Sequence, residues 1–182
     1  MEPLLALLSR VVPADGKEEA DLALMRAQAT LLTEPFSRRQ PTAHFTGSAV
    51  VTDGRRVALV YHRKFSRWLQ PGGHSEPEDG GDLLATALRE AQEETGCPVV
   101  PHPAAPRPLD VDAHPVPSRG EEPAHLHLDL RFLAVTEAPE ALRVDLVESA
   151  AVKWFELSEA LHRAETPEMR RLLLKTQRAL GL

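Results

Sequence analysis

The run Arg89-Glu90-Ala91-Gln92-Glu93-Glu94-Thr95-Gly96-Cys97 packs three carboxylates and one guanidinium into two helical turns. On a helix, residues 90, 93 and 94 share one face, so the carboxylates converge opposite a stripe of Leu84, Leu88 and Ala91. None of the three acids has Lys or Arg four residues on, and the cluster sits where a helix macrodipole favours cations. A solvated acidic face would leave each misplaced anion costing roughly 0.3–1 kcal/mol. Arg89 can neutralise part of that charge, and a hard divalent cation held by carboxylate oxygens would relieve the rest.

A second constellation is His125-Leu126-His127-Leu128-Asp129-Leu130-Arg131-Phe132. A strand's period of two places His125, His127, Asp129 and Arg131 on one face and Leu126, Leu128, Leu130 and Phe132 on the other. The leucine face belongs to a core. The polar face is either an ordinary solvated sheet surface or the wall of a substrate cleft. Its His-x-His-x-Asp start is similar to a metallo-β-lactamase ligand motif, but Leu130 stands where that motif needs histidine. His44, His62, His74 and His114 could each join a site, but an isolated histidine reads first as a surface or structural residue; His74, directly after Gly73, is the exception. Trp68 reads as a packing residue.

With Gly72-Gly73 before it, the acidic helix resembles the Nudix box, Gly-x5-Glu-x7-Arg-Glu-U-x-Glu-Glu-x-Gly-U with U aliphatic. The second half matches at Arg89, Glu90, Ala91, Glu93, Glu94, Gly96 and loosely Cys97. In the first half, Gly73 to Arg89 spans two residues more than the family spacing. Counting forward from Gly73 reaches Asp79 as the first acid, while counting back from Arg89 reaches Gly81. The resemblance covers roughly residues 42 to 180 and implies an α/β/α sandwich with a mixed sheet. It further implies Mg²⁺- or Mn²⁺-dependent hydrolysis of a phosphoanhydride in a nucleoside diphosphate linked to another moiety. On that reading Glu90, Glu93 and Glu94 hold the metal, Arg89 orients a box glutamate, and a box glutamate or Glu148 supplies the general base. Gly73, with His74 beside it, would then approach the substrate, and the polar strand face of His125, His127, Asp129 and Arg131, if it lines the cleft, would read the substrate beyond its phosphates. A Nudix-fold binding or regulatory module with reduced turnover is the alternative, motivated by the altered first half.

Positioning these groups needs a sheet and a few helices. The segment from Lys17 to Thr33 carries Leu22, Met25, Ala29 and Leu32 at helical spacing. Phe45 to Thr52 and Arg55 to His62 are β-rich runs around Asp53-Gly54, a type I′ hairpin signal. Asp82 reads as the N-cap of the box helix and Gly96 as its stop. Residues 98 to 124 hold eight of the chain's sixteen prolines, which predicts a stiffened loop with at most short strands. His125 to Val135 and Ala151 to Glu156 read as strands, followed by a helix with Met169, Leu172 and Leu173 on one side. Without regular βαβ alternation, the class is α+β, divided as an N-terminal helical extension (1–40) and a catalytic domain (41–182).

The 182 residues suit this scale. With 27 acids against 21 bases the net charge is −6, which argues against duplex nucleic acid or an anionic membrane as partner, while the Nudix resemblance implies a small nucleotide-type substrate. A homodimer stays open. Cys97 is the single cysteine, excluding an internal disulfide or a multi-cysteine zinc site. Together with an N-terminus lacking a basic, apolar leader, it points to the cytoplasm.

Overall fold

The computed structural model describes residues 3–118, 120, 123–144 and 149–182. Its elements run α1 (Leu4–Ser9), α2 (Gly16–Leu31), β1 (Ala43–Thr52), β2 (Arg56–His62), β3 (Arg67–Leu69), β4 (Gly72–His74), α3 (Leu83–Thr95), β5 (Val100–Pro101), β6 (Asp110–Val116), β7 (His125–Val135), β8 (Ser149–Glu156), α4 (Leu157–Arg163) and α5 (Pro167–Leu180). One mixed sheet holds the strands. Its spine is β3-β2-β1-β7-β5, with β4 on β1, β6 on β7 and β8 on β2. The β1–β7 pair is parallel and the others are antiparallel.

Alternation along β1 and β7 divides the sheet into two faces. Phe45, Ala49 and Val51 join Leu128, Leu130 and Phe132 on one face, under Leu83, Ala87 and Ala91 of α3 and under Leu8, Leu22 and Met25 of α1 and α2. Val50 and Leu133 turn to the other face, where Leu157 of α4 and Met169, Leu172 and Leu173 of α5 cover them. The result is the expected α/β/α sandwich. Residues before position 41 contribute to the same apolar cluster as the sheet. No helix among the described residues is long and apolar enough to cross a membrane.

Three local expectations change. The proline-rich segment contains a full seven-residue strand, β6, in register with β7 from Asp110↔Arg131 to Val116↔His125. As the sheet's outer strand it needs ladder bonds on one side only, which accommodates Pro115. Its other edge is covered by carboxylates of α2: the N–H groups of Val111 and Ala113 donate to Glu18 (3.3 Å) and Asp21 (3.1 Å). That is why two acids of α2 are buried, with Lys17 reaching Asp112 (2.8 Å) and Lys175 of α5 bonding Glu18. The hairpin turn has one left-handed residue, Gly54 (φ +94°), where type I′ requires two; the Asp53 carboxylate instead accepts from the N–H groups of Arg55 and Arg56. The buried stripe of α3 is Leu83, Ala87 and Ala91, while Leu84 and Leu88 are half-buried at its flank. Gly47 explains the shift, since a Cβ there would lie 2.5 Å from the Leu83 carbonyl oxygen and hold the helix off the sheet.

Candidate functional site

Asp82 caps α3 by accepting from the N–H groups of Leu84 and Ala85, and the helix ends at Gly96. This orientation lays the carboxylate face of α3 against β4. Gly73 is required by the close approach: a Cβ on it would sit 2.5 Å from Glu90 Oε1. Next to it, the Gly72 N–H donates to Glu94 Oε1 at 2.7 Å, and the Ser149 hydroxyl reaches Glu94 Oε2 at 3.4 Å. Glu94 is therefore buried and ties α3 to β4 and β8, whereas the Glu93 side chain is 54% exposed.

Arg89 organises the rest. Its Nε and Nη2 make a two-pronged contact with Asp79 (3.1 and 2.9 Å), and Nη2 also donates to the His74 carbonyl (2.8 Å). Its Nη1 lies 3.1 Å from both Glu90 and Glu93. The positive charge that the acidic face requires is thus largely internal, and comes from a residue four positions before Glu93 rather than four after it. Asp79, at the place reached by counting forward from Gly73, also accepts from the Glu76 N–H and the Thr86 hydroxyl. Burial pushes its carboxyl up, but those bonds and Arg89 outweigh burial and hold it below the usual carboxylate range. Glu148, the other candidate base, lies outside the described residues.

Across β4 from the carboxylates, the next side chain in the strand, His74, enters a cluster of imidazoles. His44 on β1 is paired in register with His127 on β7, and His125 lies on the same face two residues earlier. Ring centroids separate His44 from His125 and from His127 by 4.8 Å, and from His74 by 5.1 Å. His44 is 0% exposed, and neither of its ring nitrogens has a hydrogen-bond partner of good geometry, although the Gln40 backbone is near. An unsatisfied buried polar group costs about 1–3 kcal/mol, so the cluster is expensive as it stands. Burial, then the neighbouring histidines, lower the His44 pKa to about 4 and that of His127 to about 2. Among the described residues, His44, His125 and His127 are the one trio of His, Cys, Asp or Glu whose ligand atoms all lie within 4.8 Å of one another.

Asp129 and Arg131 continue this polar face inward and are buried. Asp129 accepts from the Thr46 (3.1 Å) and Ser48 (2.7 Å) hydroxyls and from Arg131 Nε (3.1 Å). Arg131 also meets Asp110 (3.3 Å) and Asp112 (2.9 Å). Their polar atoms are taken up by the protein itself, which braces β1, β6 and β7 behind the histidines. The sequence favours a structural reading of His44 over a place in the site. The available signal was polar alternation at His44, Thr46 and Ser48, matching that of His125, His127 and Asp129. Trp68 packs edge-on against Tyr61 and Phe155.

The NUDIX domain family profile matches residues 42–176. No curated protein matches the sequence. Among solved structures, a C. elegans Ap4A hydrolase in a binary complex is 22% identical, with a TM-score of 0.56 over 75% of this chain and 97% of that one. A NUDIX-family hydrolase from Clostridium perfringens is 23% identical, with a TM-score of 0.54 over 76% and 96% of the two chains. The NUDIX domain of Shewanella oneidensis NrtR, solved with ADP ribose, is 18% identical, with a TM-score of 0.51 over 85% and 97%. With the box residues gathered on α3 and β4 and the profile spanning most of the chain, this protein belongs to the Nudix hydrolase family.

Proposed function

We propose that the protein is a pyrophosphohydrolase that cleaves a phosphoanhydride in a nucleoside diphosphate linked to another moiety, using Mg²⁺ or Mn²⁺ held by Glu90, Glu93 and Glu94. The observation that carries this reading is the Arg89 clamp, which fixes Asp79, Glu90 and Glu93 around the side-chain-free strip Gly72-Gly73. The donor set fits the ion. Carboxylate oxygens suit hard divalent cations, and the missing Cβ of Gly73 leaves the Glu90 carboxylate its room. Such a cation, when bound, shields phosphate charge and acidifies a water.

The chain's own groups divide the remaining work. Arg89 is saturated by protein partners and acts as a positioning residue, keeping two like charges side by side. Glu94 anchors the strip, and the half-exposed Glu93 can accept a proton from a water on the open side of the helix. The backbone at Gly73 admits the phosphates closely, with His74 adjoining. Asp79 closes the first half of the box, which favours turnover over a purely binding role. Ap4A and ADP ribose, the compounds named for two fold neighbours, belong to the nucleotide chemistry expected here. A panel of nucleoside diphosphate conjugates, assayed with and without Mg²⁺ and Mn²⁺ and with products identified, tests this. Metal-dependent cleavage of the anhydride is expected. Nucleotide binding with no product under either metal would overturn it.

A further inference from the structure

The imidazole cluster is built from rigid parts. His44 and His127 are in-register partners on adjacent parallel strands, and the hydroxyls of Thr46 and Ser48 on β1 bond Asp129 on β7 just behind them. The His125 Nδ1 lies 2.9 Å from the Pro123 carbonyl. A carbonyl only accepts, so the proton sits on Nδ1 and the buried His125 Nε2 presents a lone pair. The Nε2 of His127 is likewise buried without a hydrogen-bond partner, and the ring nitrogens of His44 are buried with none of good geometry, the Gln40 backbone lying near. Ring-to-ring contact satisfies none of these nitrogens.

We propose that His44, His125 and His127 form a second metal site, specific for a nitrogen-preferring transition-metal dication such as Zn²⁺ and separate from the carboxylates of α3. Three imidazoles without a carboxylate match zinc or cobalt and disfavour Mg²⁺, which binds through oxygen. Three protein ligands leave one position of a tetrahedral ion open. The Nδ1–H of His125 on a backbone carbonyl is the outer-sphere bond that commonly orients a ligating histidine. An open groove beside Thr42, Val116, Ala124 and Leu126 is lined in part by His125. The two sites lie on opposite sides of β4: Gly73 abuts Glu90 and the following side chain, His74, turns toward the imidazoles.

The test uses the full chain stripped of metal by a chelator and then given excess Mg²⁺ to occupy the carboxylates. Zn²⁺ is added under calorimetry, and Co²⁺ under visible absorption, where a low-coordinate nitrogen site gives intense d–d bands. One Zn²⁺ per chain is expected. His127→Gln should remove the Co²⁺ bands and weaken Zn²⁺ by more than the roughly 10–100-fold lost with an outer-sphere partner. Because His44 is wholly buried, its replacement can unfold the chain, so His125→Gln at the groove mouth is read in parallel, with circular dichroism confirming the fold. Glu93→Gln should leave Zn²⁺ binding unchanged. Absence of Zn²⁺ binding by the folded wild type, binding that survives both histidine variants, or binding lost in Glu93→Gln would each overturn the site. So would a His127→Gln variant that changes substrate preference while keeping its Zn²⁺.

Discussion

The two sides of β4 handle buried polarity in opposite ways. On the α3 side, like charges are crowded, but Arg89 touches Asp79, Glu90 and Glu93, so the carboxylates are held without an ion. On the other side burial holds His44 and His127 neutral at neutral pH, yet the ring nitrogens of His44 have no partner of good geometry and the Nε2 atoms of His125 and His127 are buried without one. A charged cluster can therefore be the electrostatically settled region and a neutral cluster the unsettled one. What decides is whether each donor and acceptor meets its complement.

The strongest way to break the comparison is to remove the compensating cation. Arg89→Ala leaves the nearly buried Asp79 and two glutamates without a counter-charge, and should cost about 3–5 kcal/mol in chemical denaturation. Loss under about 1 kcal/mol would mean that solvent already screens the cluster. A comparable cost of about 2–5 kcal/mol is expected from Leu128→Ala, through a cavity beneath the strand that carries the histidines, without a selective change in substrate preference. Metal addition sharpens the carboxylate side. Mg²⁺ or Mn²⁺ should raise the melting temperature by the equivalent of about 2.7 kcal/mol at a hundred times Kd, and Glu90→Gln should blunt that rise. A wild-type melting curve indifferent to millimolar Mg²⁺ and Mn²⁺ would count against a cation there.

Acid probes the other side. His44 and His127 have folded pKa values of about 4 and about 2, below the unfolded value of about 6.5, so the unfolded chain binds more protons as pH falls. In metal-free protein, stability is full above about pH 6.5 and declines below it, by up to about 1.4 kcal/mol per pH unit for each histidine, until the folded pKa is reached. His74, His114 and His125 face these rings, and Arg38 adds to the field at His44. Asp79, held below its usual range, contributes only at lower pH, as it protonates. Denaturation midpoints flat from pH 7 to pH 5 would contradict neutral buried histidines.

Local chemistry made much of this readable in the sequence. The β7 bounds, the caps at Asp82 and Gly96 and the apolar side of α5 follow from period and capping, and the box residues from their spacing. What escaped depends on distant partners. Strand β6 is stable despite Pro115 because β7 pairs one edge and Glu18 and Asp21 cover the other, neither visible within residues 98–124. His44 escaped because the hairpin reading begins at Phe45, two residues after the strand's start at Ala43, and because its partners lie on a strand far along the chain. Arg89 was read as orienting one glutamate, since its full set of contacts exists only once β4 and the turn at Asp79 are folded against α3.

The central claim is that the carboxylates of α3 form the hydrolytic centre. Its most direct test is the rate at which Glu93→Gln and Glu94→Gln variants, verified as folded, cleave the best substrate of the conjugate panel at saturating Mg²⁺ or Mn²⁺. A fall in kcat of at least about a hundredfold in each is the predicted result, because each variant removes charge at the metal. Near-wild-type turnover in both would contradict the account.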